Sequence, residues 1–333
     1  MTVTASTLAA PTHEVFVTNE LSGDLTIIDG DRLQVVATIP LGKRPRGIEA
    51  TRDGRRLYIA LSGSPIEGPP DARNDAGGSA GQPVADKSAD GIGEFDVRSR
   101  KLTRVIHGVS DPEKLAVTPD GRQLYVASED SGSVVIIDVE SGQQKAAIAV
   151  GTEPEGVRAS PDGSTVYVTA EGARQVTIVD TRTHKVLKQL QVGERPRSIA
   201  FTPDGTTAYV PGELDGTITE INARNLGIRR TIQIEAKSAR LMDAVVAPDG
   251  CCLYLSTGRG RTVMALDTRN GKALGSATVG ARPWGLALSP DGKRIYAANG
   301  PSNDVSVINT GSFQVIATIP AGKGPWGVAV VSR

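Results

Sequence analysis

Aromatic residues make up only 4% of this 333-residue chain, and methionine, histidine and cysteine are scarcer still at three, three and two. The two cysteines, Cys251 and Cys252, are adjacent. They cannot staple distant parts of a fold and say little about redox compartment. Net charge is missing too: Lys plus Arg and Asp plus Glu number 37 each, so no global field draws in nucleic acid or an anionic membrane surface. No nucleic-acid partner is expected. There is no run of about twenty apolar residues, so no membrane span is expected. Met1–Pro11 has neither the basic cluster nor the apolar stretch of a secretory leader. The expectation is a protein made in the cytosol, or a chain from which a leader has been removed.

The few aromatics that are present are placed with regularity. All six tyrosines, Tyr58, Tyr125, Tyr167, Tyr209, Tyr254 and Tyr296, follow Phe16 at intervals of 42, 67, 42, 42, 45 and 42 residues. A period near 42 is the signature of a propeller built from four-stranded blades. Each unit repeats a turn, from Arg52-Asp53-Gly54 through Pro119-Asp120-Gly121, Pro161-Asp162-Gly163, Pro203-Asp204-Gly205 and Pro248-Asp249-Gly250 to Pro290-Asp291-Gly292. Proline presets φ, aspartate suits the next position and glycine takes positive φ, so these aspartates read as turn formers. The second strand carries the tyrosine, which reads as core between blades. The third ends in Asp29, Asp96, Asp138, Asp180, Asn222, Asp267 or Asn309. β-Branched residues dominate the strands, as suits stiff side chains packed on a pleated surface.

The repeats sum to an all-β, seven-bladed β-propeller over residues 13–333, preceded by a disordered or extended tail over 1–12. The chain opens on a second strand around Phe16 and ends on a first strand around Gly327-Val328-Ala329-Val330. The C-terminal strand is therefore expected to complete the N-terminal blade and close the ring, removing open sheet edges. The long interval reflects an insertion within Ser62–Asp90, rich in Gly, Pro, Asp and Ala. A stretch of that composition builds no core and is expected to be a lid or a flexible ornament.

At Phe16-Val17-Thr18-Asn19 and its echoes "YVTAEG" and "YVASED" the chain resembles the YVTN family of seven-bladed propellers, with a YncE-like bacterial subgroup matched by "LGKRPRGIEAT", "GARPWGLALSPDGK", "NGPSNDVSVI" and "GKGPWGVAV". The resemblance covers nearly the whole chain. It extends to the cytochrome d1 propeller and to small propellers encoded beside PQQ-dependent catabolic enzymes. It implies a periplasmic or extracellular location, or a cytoplasmic one if the N-terminus is native, and supplies no reaction.

In such propellers the loops between blades, and those joining second and third strands, emerge around one mouth of the central channel. The residue after each loop proline is Arg46, Glu113, Glu155, Arg197, Trp284 and Trp326 in turn, with Arg240-Leu241-Met242 replacing the motif in the fifth unit. Chemistry that varies on a constant frame is what a binding surface on a repeat scaffold requires. Arg46, Arg197, Arg240 and Arg282 form a cationic arc beside the only two tryptophans, suited to a small anionic, flat or sugar-like ligand. Glu113 and Glu155 would orient a polar group or pair with the arginines. Glu20, Glu129, Glu171 and Glu213 follow second strands and are candidates for a divalent cation or for ion pairs with arginine. A structural rim of Arg–Glu pairs sealed by tryptophan is the alternative to a site.

Classical catalytic signals are missing. His13 near the frayed start, His107 at the end of an outer strand and His184 in an outer turn map away from the mouth, which argues against a histidine-rich metal site, an axial haem ligand or a Ser-His-Asp triad. There is no Cys-x-x-Cys-His and no phosphate-binding glycine loop before a helix. No cofactor is expected beyond a divalent cation. The sequence thus favours a monomeric, non-catalytic binder of a small anionic ligand or a protein partner. The alternatives are a lactonase- or lyase-like enzyme using a carboxylate-bound metal, and an accessory protein of a quinoprotein-dependent pathway.

Overall fold

The computed structural model describes residues 12–65, 84–235 and 239–333. The expected tail, up to residue 11, and most of the Ser62–Asp90 insertion lie outside the described residues. The described chain forms seven four-stranded antiparallel sheets. The first strands of blades 1 to 6 are Pro45–Ala50, Pro112–Val117, Pro154–Ala159, Ala200–Phe201, Ala244–Val246 and Pro283–Leu288. Blade 7 joins the two chain ends. The C-terminal strand Pro325–Ser332 lies against His13–Asn19, followed by Asp24–Asp29 and Gln34–Pro40. Its register runs His13 to Ser332, Val15 to Val330 and Val17 to Val328. The closure expected from the repeat count is therefore present.

The local chemistry follows the repeat. In five blades a Thr or Ser hydroxyl donates 2.6 Å to the turn aspartate, as in Thr51–Asp53, Thr118–Asp120, Ser160–Asp162, Thr202–Asp204 and Ser289–Asp291. The same carboxylates accept the backbone N–H two residues on. They are committed to turns, which form Asx-type brackets. Phe16 and all six tyrosines are buried and belong to hydrophobic clusters that span neighbouring blades.

His13 departs from its sequence reading. It is not part of a frayed end: it opens a fully buried strand, and its Nε2 lies 2.7 Å from the Tyr296 hydroxyl of blade 6. Closure of the ring buries it. His107 and His184 sit at the outer positions expected of them, after the fourth strand of blade 1 and in the outer turn of blade 3.

Glycine sets how closely the blades meet at the channel. A Cβ on Gly47 would lie 2.5 Å from the Glu113 carbonyl oxygen, and one on Gly285 would lie 2.6 Å from that of Trp326. Gly156 and Gly327 stand in the same relation to the Arg197 and Arg46 carbonyls. In these four blades the residue after the mouth side chain is thus glycine because the next blade's mouth residue passes over it.

Candidate functional site

Loops from the blade junctions and from the ends of second strands enclose a cavity of about 840 Å³ at one mouth of the channel. It brings together Arg46, Glu113, Glu155, Arg197, Arg282, Trp284 and Trp326, along with Glu20, Glu129 and Glu171. Glu213 stands behind this lining, 2.6 Å from the Arg197 Nε. Arg240 also lies outside the lining, where its backbone N–H bonds the Thr257 carbonyl. From the described base of the insertion, Ser64, Pro65, Ala85 and Lys87 reach the cavity. Arg44 fixes that base by donating to the Ser64 and Pro65 carbonyls at 2.7 and 2.8 Å.

The backbone of the mouth is unusual at one repeated position. Arg44, Asp111, Glu153, Arg195 and Arg282 each precede a loop proline with φ of 40°, 44°, 53°, 53° and 50°, where the equivalent Gly324 has 67°. A left-handed conformation costs a non-glycine residue about 1–2 kcal/mol. All five side chains line the cavity, so charge at the mouth is kept at positions where glycine would be more stable.

Most of this charge is paired. Arg197 meets Glu155 at 3.4 Å, Glu171 at 2.8 Å and Glu213 at 2.6 Å, and Arg195 donates to Glu171 through Nε at 2.8 Å. Arg46 pairs with Glu113 and, at 2.5 Å, with Asp111, while Arg44 holds Glu20 at 2.7 Å. Carboxylates outnumber guanidiniums in the two larger groups, three to two around Arg195 and Arg197 and three to one around Arg46. Burial resolves the imbalance with protons. It pushes Glu171 up to about 8 against the pull of Arg197 and Arg195, with Glu155 adding to the rise. Burial likewise raises Glu113 well above the carboxylate range despite Arg46, and raises Glu129, its hydrogen-bonded neighbour. Burial also acts to raise Glu213, but Arg197 and Arg195 together hold it below the usual value.

This protonation makes stability depend on pH. The folded-state value of Glu171 lies above its usual 4.5, so its contribution is complete at low pH and is lost as pH rises through about 8. His13, lowered by burial from 6.5, gives the opposite slope only below that value. The urea midpoint is therefore expected to fall from pH 6.5 to 9, and Glu171→Gln should flatten the fall. A wild-type midpoint that stays level or rises over this range would contradict the assignment.

Arg282 differs from the other mouth arginines. It makes no ion pair among the described residues. Its guanidinium stacks over Trp284, 4.6 Å from the ring centroid, and Trp284 in turn stacks on Trp326 at 5.8 Å and 22°. Arg197 approaches the same Trp284 ring at 5.5 Å. Burial lowers the Arg282 pKa, and the neighbouring Arg197 charge lowers it further. A bound anion would offset both effects.

Of the four glutamates with cation-binding potential, Glu20, Glu171 and Glu213 are each taken by arginine. Glu129 instead converges with Asp111 and Glu113, with ligand atoms within 4.8 Å of one another. Beneath the mouth, a second chamber of about 570 Å³ is lined by the innermost strands and contains a Glu49–Arg158 pair at 3.3 Å. Lys114, 3.0 Å from Asp243 and 5.5 Å from the Trp326 centroid, helps wall it off from the mouth. The sequence reading missed Lys114 and Asp243. The available signal was Pro112-Glu113-Lys114, where four other blades have glycine at the third position.

The fold and the site's position define the class: a seven-bladed β-propeller with its candidate site at the channel mouth. Residues 150–314, just under half of the chain, match the family model described as "Lactonase, 7-bladed beta-propeller". That segment carries Glu155, Glu171, Arg197, Arg282 and Trp284, but not Arg46, Glu113 or Glu129. Among curated proteins, Antigen Lp49 of Leptospira interrogans is 29% identical over 138 residues, which is 34% of this chain. The chain spans about 30% of that relative's length. Hydrazine synthase of Kuenenia stuttgartiensis superposes with a TM-score of 0.71 at 21% identity, over 87% of this chain and 95% of its own. A functionally unknown protein from Desulfotomaculum acetoxidans DSM 771 gives 0.76 at 15%, over 96% and 99%. A Bacteroides uniformis protein provisionally described as a 6-phosphogluconolactonase gives 0.74 at 18%, over 96% and 99%. These structural likenesses establish the fold.

Proposed function

We propose that the mouth is a receptor for a small anionic ligand with a flat or ring-shaped body, held by Arg282 with its ring against the Trp284–Trp326 pair, without being chemically changed. The observation that carries this reading is Arg282. It is a guanidinium without an ion-pair partner among the described residues, set over an indole in an 840 Å³ cavity whose other arginines are occupied by carboxylates. Guanidinium forks suit carboxylates and phosphates, and an indole face suits a ring.

A thermal-shift screen against sugar acids, lactones, nucleotides, PQQ and divalent metals tests it. Ligand at about a hundred times its dissociation constant adds roughly 2.7 kcal/mol of stability. The expected result is stabilisation by a ring-containing anion that is lost in Arg282→Ala/Trp284→Ala. No stabilisation by any anion would overturn the reading.

A second reading, lactone opening, is favoured by the family match over residues 150–314 and by Glu171, a buried carboxyl that holds a proton beside two guanidiniums. In that reading Glu171 would serve as the acid–base group, and a divalent cation, if used, would sit with Asp111, Glu113 and Glu129. Lactone consumption followed by NMR, abolished in Glu171→Gln, would favour it over simple binding.

A further inference from the structure

The mouth is charged at two poles. Arg282 and Trp284, at the entry to blade 6, form one. The other lies at blade 2, where Glu129 converges with Asp111 and Glu113. In a ring of seven, blades 2 and 6 are three steps apart, which is as far apart as two blades can stand, and both poles line the same cavity.

Each pole lacks the charge that the other has in excess. Arg46 is the one guanidinium serving the three carboxylates at blade 2, and its contacts go to Asp111 and Glu113. Glu129 makes no ion pair among the described residues; the Arg46 charge reaches it, but its close neighbours are the Asp111 and Glu113 carboxyls. Glu113 is 3% exposed and fixed by Arg46, so Glu129 is the member of the group placed to meet a ligand. Across the mouth, Arg282 makes no ion pair among the described residues, the Glu213 and Glu20 charges acting on it only from a distance. Glu129 and Arg282 belong to blades three steps apart and make no ion pair with each other.

We infer that the ligand is zwitterionic, with a carboxylate or phosphate on Arg282, a ring on Trp284 and an ammonium group directed to Glu129. The inference rests on reading the mouth as an anion site and adds the requirement for a cation. The blade 2 pole lies outside residues 150–314, which match the family model. One ligand then meets both poles, whereas a simple anion leaves Glu129 without a cationic partner.

Calorimetric titration of the intact protein with p-aminomethylbenzoate, p-toluate and benzylamine separates the possibilities. These probes carry both charges, the anion alone and the cation alone on one ring. The expected result is that p-aminomethylbenzoate binds at least about tenfold tighter than p-toluate, a difference of about 1.4 kcal/mol. In Glu129→Gln that ratio should fall to near one. Binding of p-toluate, which carries no group for Glu129, shows that the variant is folded and still takes an anion. Arg282→Ala should lose both ligands. Equal affinity of the two carboxylates in the wild type, or a ratio that survives Glu129→Gln, overturns the zwitterion inference and leaves the anion site standing. Failure of both carboxylates to bind the wild type, with or without binding of benzylamine, overturns both.

Discussion

Ending the chain at Trp326 is expected to abolish the folded state, leaving a protein that is largely unfolded or assembled through open sheet edges. The deletion removes most of the strand Pro325–Ser332 and with it the partner of His13–Asn19, every residue of which is buried. Ala329 and Val331 leave the cluster around Phe16, Leu25 and Ile27, and the Arg333 pair to Glu14 is lost. An exposed edge strand carrying Val15, Phe16 and Val17 is a template for pairing with another chain. A small domain's total stability is only about 5–15 kcal/mol, and opening a closed ring at one blade also removes packing from both neighbours. Size-exclusion chromatography and circular-dichroism melting check this. A truncated protein with the wild-type elution volume and melting temperature would show that blade 7 does not need its C-terminal strand.

Arg197→Ala is expected to destabilise the protein by about 3–5 kcal/mol near neutral pH, the usual cost of removing one partner from a buried ion pair. The substitution leaves Glu171 and Glu213 with Arg195 alone and Glu155 with no arginine partner among the described residues, and Glu171 is only 3% exposed. The loss should shrink at pH 5, where Glu213, no longer held below the usual carboxylate range by Arg197, takes up a proton instead of standing as an unpaired charge. Arg282→Ala should behave differently. It removes a stacked cation worth about 0.5–2 kcal/mol and creates no orphaned carboxylate. Urea denaturation of the two variants at both pH values separates a structural arginine from one reserved for a ligand. Equal losses would contradict the distinction.

The sequence was informative wherever a repeat imposed one physical demand on every blade. Six tyrosines in register, six turns of one design and a terminal strand missing from its own blade led to the observed ring, because inter-blade packing admits one solution per position. Mouth residues were legible as positions but not as partners. Arg46, Arg197 and Arg282 look alike beside their prolines, and only the folded ring shows that the first two are held by carboxylates while Arg282 lies on Trp284. His13 illustrates the same limit: its burial depends on Tyr296, 283 residues away. Arg240 was grouped with the arc by sequence neighbourhood, yet the fifth blade lacks the proline that aims the other loops, and its side chain falls outside the lining.

The two tryptophans of the chain are both at the mouth, stacked on each other and under Arg282, so their fluorescence reports on this site alone. Titration with p-toluate is the most direct measurement of whether Arg282 holds anions over Trp284. The expected result is a saturable change in tryptophan emission in the wild type that is absent in Arg282→Ala, while the Arg282→Ala protein keeps its fold by circular dichroism. Emission that does not respond in the wild type, or that responds equally in the variant, would contradict the account.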